Sequence, residues 1–196
     1  IGGIRGNYFE LNDELTIAPR LGITYAFSPA FSLNAAYGRH YQTPQYSRVM
    51  TNREAMYDPD YADIDIPMLH SKGNDQIVAG LEWYPDASIK VTLEAYNKAY
   101  FNVPMMYSDQ FIQPDTASVD DYWVNERDLR SRGVEFYLHK KMFDRWFGIA
   151  SYSLSSTDAF DPRYDEWVPW NYDYGHILNL VGGYKFLKSP DWNLLM

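Results

Sequence analysis

Apolar and polar residues alternate with a period of two through much of the chain, most cleanly in SIKVTLEAYNKAY, Ser88 to Tyr100. Ile89, Val91, Leu93 and Ala95 share one phase; Lys90, Thr92, Glu94, Tyr96 and Lys98 share the other. Successive residues of a strand point to opposite faces, so this stretch predicts a strand with one oily and one charged face. Similar segments are expected at Gly3–Phe9, Ile17–Phe27, Phe31–Tyr41, Asp75–Tyr84, Leu129–His139, Trp146–Ser155 and Tyr174–Phe186, with a ninth beginning at Trp192. Asp75–Tyr84 is expected to pair with the Ser88–Tyr100 strand. Most of these segments exceed the common soluble strand of about 5–6 residues. They suit a tilted strand that crosses a bilayer in about 9–11.

The connections sharpen that picture. Ser28–Ala30, Pro85–Ser88, Lys140–Arg145 and Leu187–Asp191 are tight. Between them fall the longer Glu10–Thr16, Gln42–Asn74, Phe101–Asp128 and Ser156–Asp173. Long structureless loops count against a compact soluble domain, whereas short–long alternation is the habit of an outer-membrane barrel. In the assigned outward phase the odd positions of 17–27, 31–41, 77–83 and 89–99 combine with Val134, Phe136 and Leu138. The even positions of 146–154 and 176–186 complete it, and Arg39 is its one charged residue. This phase places Phe147 and Ile149 inward. A charge at the bilayer midplane costs up to about 2–4 kcal/mol, so a lipid-facing surface would exclude it. The opposite phase carries Arg20, Glu82, Lys90, Glu94, Lys98, Glu135 and Lys185, which are expected to face a lumen. Phe27, Phe31, Trp83, Trp146, Tyr184, Phe186 and Trp192 flank the short turns, as an interfacial aromatic girdle would.

Composition narrows the function. The 196 residues carry a net charge of −9, which disfavours nucleic acid and anionic surfaces as partners. They hold no cysteine, hence no disulfide framework and no thiolate metal site. No apolar run reaches the roughly 20 residues of a membrane-crossing helix. No signal peptide opens the chain, and both ends read as mid-strand, so a piece of a longer polypeptide is expected. Catalytic signatures are missing, and His40, His70, His139 and His176 are scattered. Neither an enzyme nor a cofactor is expected.

Several strings carry a resemblance. LTIAPRLGITYAFSPAFSLNAAYGRHYQTP, LEWYPDASIKVTLEAYNKAYFNVP, LRSRGVEFYL and HILNLVGGYKF resemble, in order, barrel strands of TonB-dependent outer-membrane receptors. The resemblance implies an all-β, antiparallel transmembrane β-barrel, of which residues 1–196 form about nine strands out of about 22. It also implies a plug domain, a TonB-engaging segment and closing strands that lie outside these residues. The expected location is the bacterial outer membrane. Expected partners are outer-membrane lipid and lipopolysaccharide, the TonB complex through the plug, and a small-molecule or glycan ligand such as a siderophore or cobalamin. Family members catch ligand with outer loops, so Tyr41, Tyr46, Tyr57, Tyr61, Trp123, Trp167 and Trp170 are candidate ligand contacts, with interface anchoring as the alternative. Asp58, Asp60, Asp63 and Asp65 could gather oxygen ligands for calcium, or simply form a solvated acidic loop. Arg130 and Arg132 could reach lipopolysaccharide phosphates or an anionic ligand, or pair at the strand end with Glu126 or Asp128. The rival readings are a passive porin-like or small barrel and a soluble all-β binding module.

Overall fold

A computed structural model of the chain describes all residues except 60–61, 63, 108–121, 143–144, 163, 187–193 and 196. Among the described residues, ten strands and one helix follow one another: β1 (Gly2–Phe9), β2 (Glu14–Ser28), β3 (Phe31–Gln42), α1 (Tyr46–Ala55), β4 (Lys72–Asp86), β5 (Ile89–Tyr107), β6 (Tyr122–Lys140), β7 (Trp146–Asp161), β8 (Glu166–Pro169), β9 (His176–Tyr184) and β10 (Leu194–Leu195). They form a single antiparallel sheet in the order β1-β2-β3-β4-β5-β6-β7-β9-β10, and the short β8 pairs with β7 beside that path. Each strand of the path neighbours the next one in it, which is the meander expected of a barrel wall.

The register shows how the period of two becomes a surface. Leu33 lies opposite Leu81, Leu81 opposite Leu93, Leu93 opposite Phe136, Phe136 opposite Tyr152 and Tyr152 opposite Leu178. The outward phases assigned strand by strand therefore meet on one face, including that of β7, where Phe147 and Ile149 turn to the other side opposite Gly183 and Val181. Among the described residues, no second sheet covers that face. Ile23 is 67% exposed and Leu180 69%, so the oily phase does not form a water-excluded interior. Among the described residues, the buried apolar side chains are few. Most of them (Val49, Ala55, Ile66, Leu69, Met105, Val124) belong to the long-loop end or the segments it touches.

Three strands are the longest in the sheet. β5 and β6 are 19 residues each and β7 is 16, well beyond the roughly 9–11 that a tilted crossing needs. Their extra length consumes much of the expected loops Phe101–Asp128 and Ser156–Asp173. The connection Gln42–Asn74, expected to be structureless, contains α1. Its sequence gives little helical signal: the buried residues Val49, Asn52 and Ala55 fall on one face, but the middle one is polar. Register shifts in β5–β6 near Tyr100, Val103 and Met105 accommodate Asn102, whose φ of 55° suits asparagine better than a branched residue.

Glycine gives close strand approach at chosen points. The Tyr96 ring lies across Gly133, its direct partner on β6, and a side chain on Gly133 would also meet the Leu154 carbonyl. The Phe101 ring covers Gly73 in the same way across β4–β5.

Candidate functional site

At the short-turn end, Phe31 is registered with Trp83 and Trp146 with Tyr184. Phe27 lies 5.9 Å from Phe31 and Tyr184 lies 4.9 Å from Phe186, ring to ring. These rings form a row along one end of the apolar face; Trp192 lies outside the described residues. Lys140 donates to the Ser88 hydroxyl and sits 4.9 Å from the Trp146 ring, holding its charge at the edge of the row.

The opposite face is polar. Arg20, Glu82, Lys90, Glu94, Lys98 and Glu135 all fall on it by register, with Arg20 opposite Gly38, Lys90 opposite His139 and Lys98 opposite Ser131. Lys185 lies beyond the end of β9, where its backbone N–H donates to the Arg145 carbonyl. Lys90 pairs with Glu82 at 3.0 Å, and Arg20 reaches His40 at 3.3 Å. Lys98 stands over the Tyr96 ring at 4.5 Å. Glu94 and Glu135 are direct cross-strand neighbours, an unfavourable opposition of like charges unless water or a cationic group lies between them.

The long-loop end is assembled by brackets between side chain and backbone. Asn52 of α1 donates to the Trp123 carbonyl and accepts the Trp123 N–H, both at 2.8 Å, and also donates to the Pro67 carbonyl at 3.0 Å. Its amide thus takes the place of a neighbouring strand and satisfies backbone groups that would otherwise be stranded. Asn125 does the same for His70, accepting its N–H at 2.8 Å and donating to its carbonyl at 3.2 Å, while also donating to the Asn102 carbonyl at 2.7 Å. Glu14, at the start of β2, accepts the Ser71 N–H and hydroxyl, the latter at 2.6 Å. Asn12 donates to the Leu69 carbonyl at 2.8 Å. Partial burial alone would raise the Glu14 carboxyl, but the Ser71 donors, Asn12 and the His70 ring 3.7 Å away outweigh it and hold it below its ordinary range. The segment from Tyr46 to Ser71 is thereby tied both to the β1–β2 turn and to the far ends of β5 and β6. A cavity of about 220 Å³ opens beside α1, lined by Leu11, Val49, Arg53, Met56, Tyr57 and Met68 among others.

The candidate ligand contacts separate into groups. Trp123 lies under the Arg48 guanidinium at 4.0 Å, and Trp170 under that of Arg127 at 5.4 Å. Trp167 lies under Arg130 at 4.3 Å, but on the phase of the apolar face, opposite Phe160. Tyr41 is on that face as well, 5.9 Å from Phe101. Tyr46 and Tyr57 stand exposed at the two ends of α1. Tyr61, Asp60 and Asp63 lie outside the described residues. Arg130 pairs with Asp158 at 3.0 Å rather than with Glu126 or Asp128, because the β6–β7 register sets Asp158 directly opposite. Arg48, Asn52, Arg127 and Asn125 gave no signal in the sequence; each acts through a partner distant along the chain.

The family model described as TonB dependent receptor-like, beta-barrel matches residues 1–194. The chain belongs to the TonB-dependent receptor β-barrel family. That family consists of outer-membrane receptors and transporters of Gram-negative bacteria. No curated protein sequence matches the chain. Among solved structures it is similar to the ferripyoverdine receptor of the outer membrane of Pseudomonas aeruginosa, at 15% identity and a TM-score of 0.63 over 89% of this chain and 21% of that one. It is also similar to the alcaligin outer-membrane receptor FauA from Bordetella pertussis (15%, 0.59, 90% and 27%). A third is the outer-membrane transporter YddB from Escherichia coli (11%, 0.67, 94% and 28%). The chain thus spans about a fifth to just over a quarter of these receptors, and the likeness is one of fold.

Proposed function

We propose that this segment is part of the wall and ligand-capturing rim of an outer-membrane receptor that takes up a scarce ligand in a TonB-dependent manner. The ligand is of one of three classes, a metal-chelating siderophore, cobalamin or a glycan. The observation that carries this reading is the division of the sheet. One face is apolar across every long strand, the other is polar, and all the long connections gather at one end. A wall of this form suits lipid on one side and a plugged lumen on the other. At the long-loop end, Trp123 and Trp170 with Tyr46 and Tyr57 offer flat aromatic surface beside guanidinium groups. Such a combination binds planar or anionic ligands through stacking and charge. Tyr41 and Trp167, on the apolar phase, serve as interface anchors. The membrane, the TonB complex and the plug are partners implied by this reading.

The test uses cells carrying the whole receptor and a panel of radio-iron bound to catecholate and hydroxamate chelators, labelled cobalamin and labelled oligosaccharides. The expected result is saturable uptake of one class that stops when the cells are de-energised. Trp123→Ala combined with Trp170→Ala should weaken binding of that probe roughly tenfold or more, in line with the loss of aromatic anchors. Uptake that persists in de-energised cells, or scales with probe size alone, would favour a passive porin and overturn the proposal.

A further inference from the structure

The hollow beside α1 has a fixed floor and a loose mouth. Val49 and Leu69 are buried at its base. Leu11, Met56 and Met68 line it as well, each between 40% and 46% exposed. Apolar side chains from three separate segments thus converge on one spot within the long connections, off the apolar face of the sheet. Apolar surface gathered in that way outside a core marks a place where something binds. The hollow stays open because its two walls are tied to different strands. Asn52 holds α1 to the Trp123 backbone of β6, and Asn12 of the β1–β2 turn holds the Leu69 carbonyl, each at 2.8 Å. Walls fixed in advance lower the ordering cost that a ligand must meet. Methionine at the mouth adapts to the shape of what enters.

Size and charge narrow the occupant. A volume of about 220 Å³ exceeds the roughly 150 Å³ that accepts a benzene ring. It falls short of the roughly 300 Å³ at which drug-sized pockets begin. Arg53, in the last turn of α1, lines the same hollow and has no ion-pair partner among the described residues. No carboxylate is found among the described residues of the lining. The Asn52 amide is already engaged by Trp123 and Pro67, which leaves Arg53 to meet a polar head group. We propose that this hollow binds a small amphipathic carboxylate, a single aromatic ring or short alkyl chain whose acid group pairs with Arg53. The apolar body rests on Val49 and Leu69, and the guanidinium fork takes both carboxylate oxygens. The site is separate from the Trp123 and Trp170 rings and goes beyond the uptake reading.

The test titrates the whole receptor in mild detergent with para-fluorobenzoate, followed by fluorine NMR. Saturable binding is expected, with a Kd of roughly a millimolar or tighter. Amide exchange should slow from Tyr46 to Ser71 and in the β1–β2 turn, and not in the wall. Arg53→Gln should weaken para-fluorobenzoate roughly fivefold, the loss of one charge-assisted contact, and leave para-fluorobenzyl alcohol unchanged. Leu11→Trp and Met68→Trp, both at exposed positions, should each fill the mouth and abolish binding of acid and alcohol alike. Equal binding of the acid by wild type and Arg53→Gln would overturn the proposal. So would para-fluorobenzylamine binding as tightly as the acid, or full binding retained in both filled variants. Binding that never saturates, or that leaves exchange from Tyr46 to Ser71 unchanged, would place the probe in the detergent and overturn it too. Binding in detergent involves no TonB complex, so loss of this site and loss of the uptake reading remain distinct.

Discussion

Along the wall, Leu93, Phe136, Tyr152 and Leu178 face the same way on four neighbouring strands, because each register step preserves the alternation. At the long-loop end, Asn52 meets Trp123 across 71 residues and Asn125 meets His70 across 55, and no periodicity links them. The wall is specified by a repeated, coarse property, so any apolar residue of suitable size can stand at most positions. The rim is specified by individual donors and acceptors, so one atom out of place removes a contact. The first kind of order suits contact with a fluid, featureless solvent such as lipid. The second suits a surface that must hold one arrangement against water.

The two regions should therefore respond differently to substitution. The largest effect is expected from Leu93→Arg, which puts a charge in the middle of the apolar face. It should cost about 2–4 kcal/mol of membrane-inserted stability, measured by unfolding the receptor from lipid vesicles in denaturant. Glu94→Arg, one residue away on the polar face, should cost little and would relieve the opposition to Glu135. An equal loss from both would break the distinction between the faces. Next comes Asn52→Ala, which strands the Trp123 N–H and carbonyl and should cost about 1–3 kcal/mol. That loss should be local: amide exchange should quicken from Tyr46 to Ser71 and at the end of β6, while the wall keeps its protection. Exchange that quickens throughout would mean that rim and wall unfold together.

The smallest expected effect concerns pH. Glu14 is held below its ordinary range, so its hold on Ser71 is complete above the unfolded carboxylate range and is lost as pH falls through the lowered folded value. Exchange of the Ser71 amide should accelerate only in acid, and Glu14→Gln should remove that dependence. Acceleration that begins near neutrality, or that persists in Glu14→Gln, would contradict this assignment.

How far the fold could be read beforehand follows from the same contrast. The phases of β2 to β9 were legible because a single choice per strand fixes every side chain on it. Even the awkward inward placement of Phe147 and Ile149 holds, since Phe147 settles onto Gly183. Strand ends were less legible: β5, β6 and β7 run on past the apolar alternation, where backbone pairing continues without that pattern to mark it. Helix α1 was invisible because the middle of its buried stripe is Asn52, buried for its hydrogen bonds and not for its oiliness. The partner of Arg130 was misjudged for a related reason. Sequence proximity suggested Glu126 or Asp128, whereas the β6–β7 register supplies Asp158.

On the proposed reading, the apolar phase meets lipid and the polar phase meets an aqueous lumen or its plug. These 196 residues hold no cysteine, so once any cysteine elsewhere in the receptor is replaced, single introduced thiols report their own surroundings. Leu93→Cys, Leu180→Cys, Glu94→Cys and Glu135→Cys would be labelled in the receptor within intact outer membranes. Positions 93 and 180 are expected to resist a charged aqueous maleimide and, once labelled with a fluorophore, to be quenched by nitroxide-bearing lipid. Positions 94 and 135 are expected to escape lipid quenching. Quenching of all four alike, or reaction of 93 and 180 with the aqueous reagent as fast as an exposed loop thiol, would contradict the account.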